Sequence, residues 1–429
     1  MSNANYTPLP LPRDLVPSIV RGHVLDVLPR LPANCIQTVV TSTPYWGQRD
    51  YQTEAQIWSG DVGHAHDWAA TEPRRARSVD DQGKNSAYKR TYLQHANYDP
   101  VRFQGADPAN YDARGGEICS CGAWRGELGQ EPTPELFVDH LTAVFAEVFR
   151  VLRDDGTLWL NIAGTYATHP AGLTGERRWA KSWLKGKNNR GAEQSGSFDK
   201  RAPGWKEKEY VPIPWLLGLA LHDAGWTIRS DVQWWKLNGK HENVADRPFR
   251  AHEYITMFTK TADPFYNEEA VRQPYVPSTI REVGVAYRGR SKKVAGSAVE
   301  LSLYETAGAQ DPSELKRRIV ESLAERGGSM LPDVWFMATG NGGGQHVAVF
   351  PETLPELCIT ASSRVGDLVL DPFSGSGTTC AVARRLARRS IGIELSALHV
   401  QQSVARCASV PEPEHAPFRV QRSILEVPA

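Results

Sequence analysis

The chain has 429 residues, and its 49 Lys and Arg balance 49 Asp and Glu, so overall basicity is excluded as a basis for nucleic-acid binding and any such surface must come from local segregation of charge. That length exceeds one ordinary core and points to a catalytic domain carrying inserted modules. Six cysteines, at 35, 119, 121, 358, 380 and 407, are too sparse for a disulfide scaffold and are expected to be reduced, and with no run of about 18 apolar residues and no charged start leading into an apolar stretch, the chain is expected in the cytoplasm without a membrane span.

Residues 20 to 46 read as a short helix followed by Ile36-Gln37-Thr38-Val39-Val40-Thr41, a β-branched run that predicts a buried strand. The strand ends in Ser42-Thr43-Pro44-Tyr45-Trp46. Small polar groups, a proline and aromatics at the carboxyl end of a parallel strand stand where open α/β sheets hold their reactive groups. Trp46 fits either a wall of such a site or the core.

Residues 51 to 130 are polar, glycine-rich and poor in periodicity, which marks an insertion. It contains Gly63-His64-Ala65-His66 and Cys119-Ser120-Cys121-Gly122. His64, His66, Cys119 and Cys121 can complete a tetrahedral zinc site and staple a loop too polar to form its own core. His-x-His and Cys-x-Cys are tighter than the usual ligand spacings, and ordinary loop residues are the alternative.

Phe137, Leu141, Val144, Phe145, Val148 and Leu152 recur at helical spacing and predict a helix over 133–152, a turn at Gly156 and a strand over 157–162. Between Ala171 and Lys208 ten Lys and Arg face four Asp and Glu, with Trp179, Trp183 and Trp205 interleaved. A helix is predicted over 210–224, stopped at Gly225, and Trp226 to Trp235 with Glu253 to Thr259 reads as an antiparallel pair at the sheet edge. A second insertion, charged and partly helical, covers 268–330; six Lys and Arg against one acid lie between Arg272 and Lys293. If the protein binds DNA, Arg177, Arg178, Lys181, Lys185, Lys187, Arg288, Arg290 and Lys292 are the candidates for phosphate contacts, with a solvated loop as the alternative.

Gly366 to Asp371 then runs into Pro372-Phe373-Ser374-Gly375-Ser376-Gly377-Thr378-Thr379. A short apolar run, a loop with two glycines and a small-residue helix start describe a strand, tight turn and helix whose backbone approaches a nucleotide-like ligand. Thr378 is expected to begin and cap the helix. Glu394 follows Gly375 by 19 residues on the next apolar run, where it can accept hydrogen bonds from ribose hydroxyls or serve as an ordinary strand-end acid. No Gly-Lys-Ser/Thr is present, so nothing argues for a phosphate cradle.

Thr41-Ser-Thr-Pro-Tyr-Trp and Asp371-Pro-Phe-Ser-Gly-Ser-Gly-Thr-Thr, in that order, resemble the amino-group DNA methyltransferases of the β arrangement. That family places its Ser/Asp-Pro-Pro-Tyr-type catalytic loop first and its S-adenosylmethionine loop last. Val151 to Asn161, Arg250 to Lys260 and His346 to Glu352 match further family segments, so the resemblance spans roughly residues 20 to 410. Thr43 stands where the family usually has proline. The resemblance implies an α/β, doubly wound, mostly parallel sheet with an antiparallel edge hairpin, the Rossmann-like methyltransferase fold, with large inserted loops. Combined with the composition along the chain, it divides the sequence into a catalytic half (18–50, 131–164 and 209–267), an insertion that holds the candidate metal-staple residues (51–130), a basic insertion (165–208), a target-recognition region (268–330), a cofactor half (331–410) and a tail (411–429).

The resemblance also implies S-adenosylmethionine as cofactor, held by Asp371, Phe373, Ser374, Gly375, Ser376, Gly377, Thr378 and Glu394, and duplex DNA as partner. Within a restriction-modification system, a cognate endonuclease acting on the same site would be a second partner. Ser42, Thr43, Pro44 and Tyr45 fall on the catalytic loop, with acceptors from Ser42 and the carbonyls of Thr43 or Pro44 on the target amine and Tyr45 stacked on an extruded base. Because the loop begins with serine, cytosine N4 is the favoured target, and adenine N6 the alternative. A DNA-binding relic impaired by the change to Thr43, or a methyltransferase acting on protein glutamine or RNA, are readings of other kinds. The chain lacks a Pro-Cys pair, which separates it from ring-carbon cytosine methylation through a cysteine nucleophile. His252 and Glu253 match a family segment near the pocket and are assigned no chemistry; His346 and Phe350 precede the cofactor loop, where they can touch the donor.

Overall fold

The computed structural model describes residues 6–48, 51, 53–60, 64–69, 116–167, 205–206, 208–239, 242, 244–273, 329–340, 350–411 and 425–426. Two compact units divide the chain, one of residues 1–265 with 334–429 and one of residues 266–333. In the second, described over 266–273 and 329–333, a short 3-10 turn at Glu269–Val271 buries Val271, and Gln273 bridges Ser329 in antiparallel fashion.

The first unit begins with β1 (Ser18–Arg21), α1 (Val24–Val27) and β2 (Ile36–Ser42). Every residue of β2 except Ser42 is buried, as expected of a β-branched strand covered on both faces. A small module follows, β3 (Gln56–Trp58), β4 (Trp68–Ala69), β5 (Gly116–Cys119) and β6 (Trp124–Gly126). Helix α2 (Pro134–Val151) starts with proline at its first position and with Thr133 Oγ1 accepting from Leu136 N at 3.1 Å, so two donors that the helix cannot pair internally are removed or satisfied. Its apolar stripe, Phe137, Leu141, Val144, Phe145 and Val148, is wholly buried.

Next come β7 (Leu152–Ile162), β8 (Thr165–Tyr166), β9 (Tyr210–Val211), α3 (Ile213–Asp223), β10 (Thr227–Lys236) and β11 (His252–Thr259). Gly225, at φ +100°, takes the left-handed turn that ends α3. The chain returns through β12 (Val334–Met337), α4 (Thr353–Ser362), β13 (Leu368–Asp371), α5 (Thr378–Arg385), β14 (Arg389–Glu394), α6 (Ala397–Ser409) and β15 (Leu425–Glu426).

Nine strands form one sheet in the order β12-β10-β11-β7-β2-β13-β14-β1-β15. Every pairing is parallel except the two made by β11, with β10 and with β7. The expected α/β class and antiparallel β10–β11 pair are thus present, with one difference: β12 adds in parallel to β10, so the pair lies one strand in from the edge. Sequence periodicity also missed β1, too short to show alternation, and β15, which pairs with β1 from within the expected tail. At Gly156 the predicted turn is an irregularity within a single strand, β7, whose register against β2 shifts between Ile36 and Thr38. Residues 51–130, read as an insertion without periodicity, contain a separate sheet of order β3-β6-β5-β4. No helix among the described residues is long and apolar enough to cross a membrane.

Candidate functional site

Two strands distant in sequence set the geometry. β2 and β13 lie side by side, with Val369 opposite Thr38 and Leu370 opposite Val39, so both loops leaving their carboxyl ends emerge on one edge of the sheet. There a cavity of about 710 Å³ is lined by Ser42, Thr43, Pro44 and Tyr45 on one side and by Asp371, Phe373, Ser374, Gly375, Ser376, Thr378 and Glu394 on the other. Thr41 ties the two sides together by donating from Oγ1 to Asp371 Oδ1 at 2.7 Å. The same oxygen accepts from Phe373 N at 3.1 Å, which shapes the loop. Burial raises the Asp371 carboxyl to about 6, against the hydrogen bonds from Thr41, Thr379 and the Phe373 backbone.

In the glycine loop, Gly375 has φ +51° and nothing within 4 Å of where a Cβ would sit, so its open face adjoins the cavity. Gly377, at φ +80°, caps α5 in the left-handed conformation and does not line the cavity; a side chain there would overlap Ser403 of α6. Thr378 is correspondingly the first helical residue and not the cap, and its Oγ1 accepts from Arg406 Nη1 at 2.5 Å. The Glu394 carboxylate accepts from Gly375 N and from Ser396 N, each at 2.8 Å, bridging the loop to the start of α6 while it borders the cavity. This bridge fixes an acceptor next to a backbone cradle open to a ligand, which fits a ribose-bearing methyl donor.

On the opposite side, the Tyr45 hydroxyl lies 2.7 Å from Glu253 Oε2 and 3.1 Å from Asn161 Oδ1, with Ser42 Oγ donating to it at 3.5 Å. Asn161 Nδ2 donates to the same Glu253 oxygen at 3.2 Å and to the Tyr254 carbonyl at 3.1 Å. Lys236 Nζ pairs with the other Glu253 oxygen. Burial, then the charge of Glu253, raises the Tyr45 phenol well above its ordinary range, so it stays neutral. Asn161, Lys236 and Glu253 all line the cavity, yet sequence reasoning gave none of them a role. The available signal was positional: β7 places Asn161 opposite Ser42, and β10–β11 register places Trp234 opposite Glu253. Thr43 is 3 % exposed, and its buried hydroxyl has no hydrogen-bond partner among the described residues.

Trp46 belongs to the core: 3 % exposed, it donates from Nε1 to the Glu131 carbonyl at 2.9 Å and does not line the cavity. Phe350 borders the cavity, and His346 lies outside the described residues, as do Arg177, Arg178, Lys181, Lys185, Lys187, Arg288, Arg290 and Lys292. In the small sheet, ligand atoms of His64, His66, Cys119 and Cys121 all lie within 4.8 Å of one another, and no disulfide joins the two cysteines. The Cys119 thiol is lowered to about 6, first by a hydrogen bond from the Cys121 backbone and further by His66.

A DNA methylase family model, that of the N6 and N4 enzymes, matches residues 36–405. Two relatives are the Type II methyltransferases M.XycI of Xanthomonas campestris pv. cyanopsidis, 30 % identical over 392 residues (91 % of this chain and 87 % of that one), and M.SmaI of Serratia marcescens, 33 % identical over 272 residues (63 % and 74 %). Among solved structures, the cytosine-N4-specific PvuII DNA methyltransferase aligns at 15 % identity and TM-score 0.46, covering 92 % of this chain and 88 % of that one. The Thermus thermophilus protein TTHA0409, complexed with S-adenosyl-L-methionine, aligns at 18 % identity and TM-score 0.43, covering 92 % and 95 %. The chain belongs to the N6/N4 DNA methylase family, as an S-adenosylmethionine-dependent DNA methyltransferase.

Proposed function

We propose that the chain is a Type II, site-specific methyltransferase that modifies the exocyclic N4 amine of a cytosine extruded from duplex DNA. The observation that carries this reading is the shared cavity, in which the end of β2 faces the Gly375 loop. When bound there, S-adenosylmethionine supplies an electrophilic methyl group on sulfur. Asp371, Phe373, Gly375 and Glu394 would hold it by backbone contact and by hydrogen bonds to the ribose.

The amine is a poor nucleophile because its lone pair is shared with the ring. Attack requires the nitrogen to approach tetrahedral geometry, and acceptors aimed at its hydrogens favour that change by binding the developing positive charge more strongly than the ground state. Ser42 Oγ and the carbonyls of Thr43 and Pro44 are those acceptors. Tyr45 offers the ring on which the base stacks, and its hydroxyl, held by Glu253 and Asn161, keeps that ring from turning. A base stacked within the duplex cannot bring its amine against a donor held on the glycine loop, which supports extrusion. Alignment of nucleophile, carbon and sulfur then accounts for much of the acceleration.

The serine at the head of the loop supports cytosine over adenine, and likeness to the Type II methyltransferases M.XycI and M.SmaI supports a restriction-modification role with an endonuclease for the same site. Unmethylated DNA incubated with the enzyme and tritiated S-adenosylmethionine should take up label, and digestion to nucleosides should yield N4-methylcytosine by mass. N6-methyladenine in its place would overturn the choice of base, and DNA binding without transfer would favour the inactive relic.

A further inference from the structure

We propose that His64, His66, Cys119 and Cys121 bind one structural zinc ion, which clamps the small four-stranded sheet that walls the catalytic cavity. The residues come from two places far apart in the chain. His64 and His66 precede β4, whereas Cys119 ends β5 and Cys121 sits in the turn leading to β6. All four ligand atoms nevertheless fall within 4.8 Å of one another, with Cys121 Sγ 3.4 Å from His66 Nδ1. A tetrahedral site with bonds of about 2.0–2.3 Å needs ligand atoms about 3.3–3.8 Å apart, so contraction by roughly an ångström closes it. Two thiolates and two neutral imidazoles cancel the charge of a divalent ion, and this donor set suits zinc over magnesium or calcium, which prefer oxygen.

The turn is built for the purpose. Gly122, at φ +87° with open space around it, donates its N–H to the Cys119 carbonyl at 2.9 Å, and Cys119 N donates to the Ala123 carbonyl at 2.8 Å, which closes the hairpin that holds both sulfurs beside the histidines. Among the described residues β4 is held by a short ladder and by the Arg125 guanidinium, 4.8 Å over the Trp68 ring. Its ladder to β5 has two residue pairs, Trp68 with Cys119 and Ala69 with Ile118. Bringing together segments so far apart in sequence costs loop-closure entropy, and metal binding is a source of folding free energy that offsets such a cost.

The clamp reaches the cavity through the rest of the sheet. Trp58 of β3 and Trp124 of β6 stack on His140 of α2, with ring centroids 5.2 and 5.4 Å apart. Just after β6, Glu127 and Leu128 line the cavity, and the Gly129 carbonyl accepts from Gly47 N at 2.8 Å, two residues beyond Tyr45. Zinc would therefore steady the far wall of the cavity without touching the reacting groups.

The test is elemental analysis of full-length protein purified without chelator. One zinc per chain is expected, released by a mercurial thiol reagent and detected with a chromogenic chelator. Cys121→Ser and His64→Ala should each lose most of the metal, whereas Cys35→Ser, at a half-buried cysteine outside the cluster, should keep it. Amide exchange of 116–126 should quicken in the metal-free protein. Less than a tenth of an equivalent of zinc in wild-type protein, with Cys121 alkylated as fast as Cys35, would overturn the proposal, and so would full zinc retention in folded His64→Ala and Cys121→Ser proteins. Should the variants fail to fold, mercurial release from wild-type protein still decides, because zinc freed without reaction of Cys119 and Cys121 refutes the site.

Discussion

Thr41 Oγ1 donates to Asp371 Oδ1 across 2.7 Å although 330 positions separate the two residues. This buried contact joins the strand that ends in the Ser42–Tyr45 loop, proposed above to be catalytic, to the strand that ends in the glycine loop, proposed to hold the cofactor. Burial holds the Asp371 carboxyl at about 6, above its ordinary 3.8. The folded state therefore binds this proton more tightly than the unfolded state. The resulting stability is fully present below about pH 4 and is lost as pH rises through about 6. Two units of separation correspond to about 3 kcal/mol. Denaturant titrations at intervals from pH 4 to 7 should show a decline in wild-type protein that Asp371→Asn lacks; parallel profiles would refute the coupling.

The polar network at Tyr45 makes a second prediction. Tyr45→Phe keeps the stacking ring and removes the hydroxyl held by Glu253 and Asn161. Stability should fall by about 1 kcal/mol, and kcat by about tenfold, equivalent to about 1.4 kcal/mol of barrier. The KM for S-adenosylmethionine should hardly move. A loss confined to that KM would mean the network serves the cofactor side.

The two loop glycines should respond differently to alanine. At Gly375 a methyl group meets open space, so the cost is about 1–2 kcal/mol of left-handed strain, together with weaker cofactor binding, because the methyl adjoins the cavity. At Gly377 the same strain is joined by overlap with the Ser403 hydroxyl and a Cβ only 2.9 Å from Ser403 Cα. Gly377→Ala should therefore unfold at clearly lower denaturant than Gly375→Ala. Equal midpoints would show that the α5–α6 contact yields without cost.

Thr43 offers a fourth test. Its buried hydroxyl has no partner among the described residues, a cost of about 1–3 kcal/mol if nothing bonds it. Thr43→Val should stabilise the unliganded enzyme. If the hydroxyl meets the target base, the variant should also raise the KM for DNA; unchanged kinetics would assign the Thr43 side chain to packing alone.

The residues of both loops, and the strands that carry them, were legible because local chemistry writes them: β-branched runs, a proline turn, two glycines and an acid at a set interval. The helix over 134–151 could be read for the same reason, since its apolar spacing matches the helical period. Family segments brought Asn161 and Glu253 into view, but their meeting with Lys236 at Tyr45 could not be read, because it depends on strand order and antiparallel register across β7, β10 and β11. Nor could spacing reveal that Trp46 points into the core or that Gly377 faces Ser403 and not the cavity. Short-range order follows from each residue's own conformational preferences, whereas a cavity forms only where segments hundreds of residues apart share a sheet edge, and that juxtaposition depends on the packing of the whole chain.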